Sequence, residues 1–302
     1  MLQPIGRILK AQLRALGVRR PSEMWARLRR LAQKRVLAHR YPKFMGPALS
    51  TALDRVGIAT GATVFVHSAW DEFYNFEGKP IDLIRVLQEK VGPTGTIAMP
   101  AYPLTIDPAA LFDARRTPTG AGLVPETFRR LRDARRGVHI FHSVAAVGPN
   151  AEYLVGDHHR SLTTWDRHSP YARLAELDAT ILCLGLPRSF GLGTCMHCPE
   201  SLLYEELPYF KRVFGPPLEY RYRDQAGREG VHRLLPRTGR WRPTRVLRHI
   251  DPREVRVTHV SNVRLQAISA RYLVDRMVEL ARRGIVNYYW PWPSRRLFRA
   301  DG

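Results

Sequence analysis

The densest group of chemically capable side chains is Cys195-Met196-His197-Cys198, with Glu200 two residues further on. Histidine ionises near pH 6.5, close to neutrality, so it can take up and return a proton. Two cysteines and a histidine could also ligate zinc, but such sites close with a second clustered pair at metal-ligand spacing. Only Cys183 remains to complete one, so no metal is expected. No Gly-x-Gly-x-x-Gly follows a strand and no Walker loop is present, which removes dinucleotide and P-loop chemistry. Arg212, Arg221, Arg223, Arg228, Arg233 and Arg237 crowd a later segment.

The elements that must position these residues read as α/β. Thr63-Val64-Phe65-Val66 is a compact apolar strand ending at His67-Ser68, and residues 81–91 form an amphipathic helix stopped by Gly92-Pro93. Thr96-Ile97-Ala98-Met99 is the next strand, halted by Pro100. Strand, helix and strand with short turns make a βαβ unit, so a mixed, largely parallel sheet flanked by helices is expected. Residues 48–57, 124–132, 171–177 and 200–206 read as helices, and 143–147 and 179–184 as strands. An added β-hairpin spans 218–231 around Gln225-Ala226-Gly227, and 267–283 is a long amphipathic helix.

These elements divide the chain into a basic helical arm at 1–44, an α/β domain at 45–289 and a loose basic tail at 290–302. In the arm, Ile5, Ile8, Leu9, Leu13 and Leu16 recur at helical spacing among Arg7, Lys10 and Arg14. That pattern leaves three readings open: a solvated helix pair packed on the body or on the second subunit of a homodimer, peripheral contact with an anionic membrane face through residues 1–42, or disorder.

The chain carries a net charge of +21, from 48 basic and 27 acidic residues. Such a field draws anionic partners without choosing among them, and no nucleic-acid motif with interleaved aromatics accompanies it. Three cysteines make no disulfide framework, no apolar stretch is long enough to span a bilayer, and no cleaved signal peptide is expected. A reducing cytoplasm is the expected home.

Several segments, in order, resemble the aminoglycoside 3-N-acetyltransferase family. They are Val64-Phe65-Val66-His67-Ser68, Gly92-Pro93-Thr94-Gly95-Thr96-Ile97-Ala98-Met99-Pro100, and Thr117-Pro118-Thr119-Gly120. Then come Phe141-His142-Ser143, Ser169-Pro170-Tyr171-Ala172-Arg173-Leu174, Leu182-Cys183-Leu184-Gly185, and Gly193-Thr194-Cys195-Met196-His197-Cys198-Pro199-Glu200. The resemblance runs over about residues 46–283 and leaves the basic arm outside.

It implies transfer of acetyl from acetyl-CoA, as co-substrate, to a primary amine. His197 matches the family's catalytic histidine in the pattern Thr194-x-x-His197-x-x-Glu200, and Asp107 is the best match to its substrate-orienting aspartate. For the coenzyme it points to His67, Ser68 and Ala69 after the first strand, and to Thr117 and Ser143, with Arg115 and Arg116 as nearby cations. The family's second carboxylate, which should orient the histidine, is displaced: Pro236 or Arg237 stands there, leaving Glu229 or Glu200 to substitute. Because so basic a chain repels a polycation, the expected acceptor is an amino sugar carrying a phosphate or nucleotide, or an amine on a lipid-linked glycan. The alternative is a catalytically impaired relative that holds a membrane surface or nucleic acid by its charge.

Overall fold

Val64, Phe65 and Val66 alternate across a buried strand, and that alternation decides which helices each one meets. Phe65 packs in one apolar core, and Val64 and Val66 in another on the opposite face. A computed structural model of the chain describes residues 32, 34, 36–186 and 194–298. These fall into two units, Met1–Lys43 and Phe44–Gly302. In the first, residues 36–38 are helical. The amphipathic stretches expected within 1–31 lie outside the described residues.

The strands of the second unit, in chain order, begin with β1 (Thr63–Ser68), β2 (Thr96–Pro100), β3 (Phe112–Asp113), β4 (Arg135–Arg136), β5 (Val144–Val147) and β6 (Thr180–Leu184). They continue with β7 (Leu218–Arg223), β8 (Glu229–Leu234), β9 (Arg240–Trp241), β10 (Arg256–Val260), β11 (Val263–Ser269) and β12 (Tyr288–Trp290). Seven of them form one sheet in the order β10-β11-β6-β1-β2-β5-β4. The sheet is mixed, as expected. Its parallel part is smaller than the βαβ pattern implies: β6, β1 and β2 run parallel, and every other pairing is antiparallel.

Helices α1 (Gly46–Arg55), α2 (Pro80–Val91) and α3 (Leu123–Phe128) cover one face, burying Leu49, Leu53, Leu83, Leu87 and Phe128 against Val64, Val66 and Met99. Helices α4 (Ala151–Val155), α5 (Pro170–Glu176), α6 (Cys198–Leu202) and α7 (Ala270–Arg282) supply the other core, with Leu154, Leu174, Cys198 and Leu273 around Phe65 and Ile181. The three cysteines are free and buried, and among the described residues no cluster fit to hold a metal ion is found.

Two sequence expectations need correction. The long helix read at 267–283 begins only at Ala270, where the Ser269 hydroxyl caps it by accepting the Tyr272 amide at 3.1 Å. The residues before it form β11, where Leu265 and Ala267 face one core and Ile268 the other, so a strand and a helix share one apolar run. The tail is not loose as far as Phe298, whose ring stacks on Tyr209 at 4.6 Å while the Tyr209 hydroxyl donates to the Pro291 carbonyl. The hairpin is present as β7–β8, extended by β3 into a three-stranded sheet.

A buried arginine joins that small sheet to the large one. Arg136, on β4, donates to the carbonyls of Ala101 (2.5 Å), Thr117 (2.5 Å) and Ala114 (3.3 Å) and to Ser143 Oγ (3.2 Å), with Phe112 beneath its guanidinium. Loss of hydration pulls its pKa down to about 9.

Candidate active site

Parallel strands in an open α/β sheet place their carboxyl ends together, and a crevice outside those ends is where such sheets bind ligands. The ends of β1, β2 and β6 bring His67, Ser68, Pro100 and Leu186 to one cavity of about 310 Å³. Tyr102, Ala121, His142, Tyr171, Thr194 and His197 complete most of its wall, and Arg237 and Trp241 reach in from the chain after β8.

His197 ends a short 3₁₀ turn, Cys195–His197, and Pro199 in the first turn of α6 starts the helix immediately after it. A three-residue separation on a helical path puts side chains on one face, so the Glu200 carboxylate turns back onto the ring. Glu200 Oε1 lies 2.5 Å from His197 Nδ1, and both side chains are almost fully buried. A carboxylate only accepts, so the proton sits on Nδ1 and Nε2 keeps its lone pair. The Asn287 amide nitrogen also lies 3.1 Å from Nδ1; with the proton on Nδ1 the two are both donors, so this is a packing contact and not a second hydrogen bond. Trp165 lies against one side of the imidazole at 5.0 Å, and Trp241 meets it edge-on at 5.1 Å.

Arg237 is the unexpected member. Its Nη1 is 2.9 Å from Nδ1 and 3.0 Å from Nε2 of His197, which places it over the ring face, since in-plane equidistance would drive it into Cε1. Its guanidinium lies over both Trp165 (5.1 Å) and Trp241 (5.4 Å). Burial lowers the pKa of His197; Glu200 opposes that shift and Arg237 adds to it, so the ring is neutral at neutral pH. Burial likewise lowers His67 to about 4, and lowers His142 to about 3 with help from Arg237 and His197.

The expected site residues divide. His197, Glu200, His67 and Ser68 come together at or under the cavity, and His67 Nε2 and Ser68 Oγ are buried there without a hydrogen-bond partner. The Ala69 amide is not free to cradle a phosphate, because it donates to the Leu184 carbonyl at 2.9 Å and extends the β1–β6 ladder. Ser143 is fully buried, donating to the Gly137 carbonyl and accepting from Arg136. Thr117 closes a turn with Asp113, whose amide donates to its hydroxyl, and the Arg116 amide is held by the Asp113 carboxylate. Asp107 is an exposed turn residue accepting the Ala109 amide, and it is not among the cavity-lining residues. Glu229 begins β8 and pairs with Arg221 and Arg223 at the surface. Arg228 pairs with Asp224 and Arg233 with Glu219, so of the crowded arginines only Arg237 enters the cavity. Trp165, Asn287 and Trp241 were not legible as site residues; only the aromatic among arginines at 240–242 offered a signal.

The model of the aminoglycoside 3-N-acetyltransferase family matches residues 65–282. The chain belongs to that family. Among curated relatives, it is 34% identical to aminoglycoside N(3)-acetyltransferase IV of Salmonella sp over 51% of this chain and 57% of the relative. It is 32% identical to aminoglycoside N(3)-acetyltransferase VII of Streptomyces paromomycinus over 52% of this chain and 62% of the relative. The matches thus span little more than half the length of those relatives. The crystal structure of aminoglycoside acetyltransferase AAC(3)-IVa as apoenzyme superposes with a TM-score of 0.65 at 25% identity, over 85% of this chain and 95% of that one. The binary complex of AAC-IIIb with CoASH superposes with a TM-score of 0.68 at 21% identity, over 80% and 98%, which shows the shared fold. Like them, this member has a large mixed sheet flanked by helices. Among the described residues, no helix is long and apolar enough to cross a membrane.

The buried histidines of this family member should also limit its stability in acid. His139, His158, His197 and His232 are buried, with His139 stacked on His158 at 4.5 Å, and burial lowers the pKa of each. Below pH 6.5 the unfolded chain binds protons that the folded rings refuse, so stability is lost as pH falls from 6.5 towards 4. Each such ring contributes up to about 1.4 kcal/mol per pH unit. Melting temperature should therefore be level above pH 7 and drop steeply between pH 6.5 and 5; a flat profile there would show that these rings are charged in the fold.

Proposed function

We propose that this chain moves an acetyl group from acetyl-CoA to a primary amine, the amine of an amino sugar, with His197 as general base oriented by Glu200. The observation that carries the reading is the buried His197–Glu200 pair opening onto a cavity at the carboxyl ends of β1, β2 and β6. The names of the relatives that match half the chain support the reaction type.

The residues present fit an acyl thioester. Ser68 Oγ and His67 Nε2 are buried without partners at the cavity wall, and the hydroxyl, with the ring in its Nε2–H tautomer, would supply donors for a carbonyl oxygen. The coenzyme supplies an activated acyl carbon with a thiol leaving group. His197 Nε2 takes the proton that the amine nitrogen sheds as its bond to that carbon forms, and returns it to the departing sulfur. Glu200 holds the Nδ1–H tautomer and balances the imidazolium while it exists. Burial and Arg237 keep the ring neutral between turnovers, so the base is ready at neutral pH.

Trp165 and Trp241 border the site, so intrinsic fluorescence should report acetyl-CoA binding, and thiol release should require an added amine. Binding with amine-dependent release supports the reading. Absence of coenzyme binding would overturn it in favour of a charge-based binder.

A further inference from the structure

We infer that the acceptor amine carries an oxyanion, a phosphate or carboxylate, that pairs with Arg237 beside the reacting nitrogen. This deepens the transferase reading and rests on it for the acceptor, though not for the anion site itself.

Arg237 is a cation enclosed by aromatic rings, with Trp165 and Trp241 on its sides and His197 against it. Among the described residues no carboxylate stands within ion-pair distance of it. Its other contact is the Tyr288 hydroxyl at 3.5 Å. A guanidinium presents five N–H donors in a fixed fork, and contacts with ring faces leave most of them unspent. The Glu200 carboxylate meets it only through the His197 ring, 2.5 Å from Nδ1 where Arg237 Nη1 is 2.9 Å from the same atom, so the partly buried guanidinium has no carboxylate paired to it directly and an anionic ligand would complete it. The described cavity lining supplies no such group, since none of its residues is acidic.

The position decides whose anion it is. Arg237 touches the ring that handles the amine proton, so an anion paired with it belongs to a molecule whose reacting atom is also at that ring. The coenzyme's phosphates are separated from its thioester by the whole pantetheine arm. The acceptor is the molecule that brings an anion to this place. A polycationic acceptor meets the opposite condition, a fixed positive charge where its own charge must settle. With a net charge of +21, the surrounding field favours approach of the anionic acceptor as well.

Two measurements test this on the full chain. In the first, inorganic phosphate is titrated against tryptophan fluorescence in wild type, Arg237→Gln and Arg237→Lys. Loss of charge-assisted donors should weaken the saturable change about 10- to 100-fold in Arg237→Gln and less in Arg237→Lys, with melting temperature as the fold control. In the second, thiol release is compared for glucosamine, glucosamine 6-phosphate and kanamycin. The phosphorylated sugar should have the lowest KM, the advantage should vanish in Arg237→Gln, and the affinity for acetyl-CoA should be unchanged. Equal KM for both sugars, indifference to the substitution, or weakened coenzyme binding in its place would overturn the inference. If no amine releases thiol while phosphate binding still depends on Arg237, the transferase reading fails and the anion site stands.

Discussion

His197→Gln should lower amine-dependent thiol release by roughly 10²- to 10⁴-fold, the usual worth of a positioned general base. Glutamine roughly fills the space between Trp165 and Trp241 but cannot take the amine's proton at neutral pH, so the fold and coenzyme affinity should persist. The rate should therefore fall in kcat with little change in KM for acetyl-CoA, as expected for a group that acts in the transition state. A fall in coenzyme affinity of the same size would instead make His197 a binding residue.

Glu200→Gln should be nearly as damaging, since replacing the carboxylate of a histidine–carboxylate pair by its amide can cost up to about 10⁴-fold by permitting the wrong tautomer. The pH dependence separates this from simple misfolding. Glu200 raises the pKa of His197 against burial and Arg237, so its removal lowers that pKa further. The acid limb of the residual kcat should thus move to lower pH than in wild type. An unchanged rate would show that another group orients the ring, and an upward shift of the limb would reverse the electrostatic assignment.

Much of this was legible in the residues, and the rest was hidden for identifiable reasons. Strand β1, helix α2 and strand β2 are short, strongly patterned and punctuated by glycine and proline, so their local signals agree with their tertiary roles. The three-residue step from His197 to Glu200 is likewise a local fact, available once the segment is helical. Strand β11 was hidden because its apolar residues run directly into those of α7, and β10 because Arg256, Val257 and His259 are exposed on a sheet edge. Ser143 looked like a ligand-binding hydroxyl, but its partner depends on where Arg136 lies after folding, and the Thr117 hydroxyl is taken by the Asp113 amide in a local turn. Asp107 and Ala69 were claimed by nearer hydrogen bonds, a turn and a strand ladder. Arg237 could be seen only as a departure from the family pattern; that it rests on His197 between two tryptophans is a tertiary fact joining segments from residues 165 to 241.

The most direct measurement follows an isotopically labelled acetyl group from acetyl-CoA in wild type and His197→Gln, in the presence of an amino sugar phosphate. Label recovered as an amide of the acceptor, made by wild type and almost absent with His197→Gln, is the expected result. Label recovered as free acetate, or amide formed equally by both proteins, would remove His197 from the role of base and with it the proposed transfer.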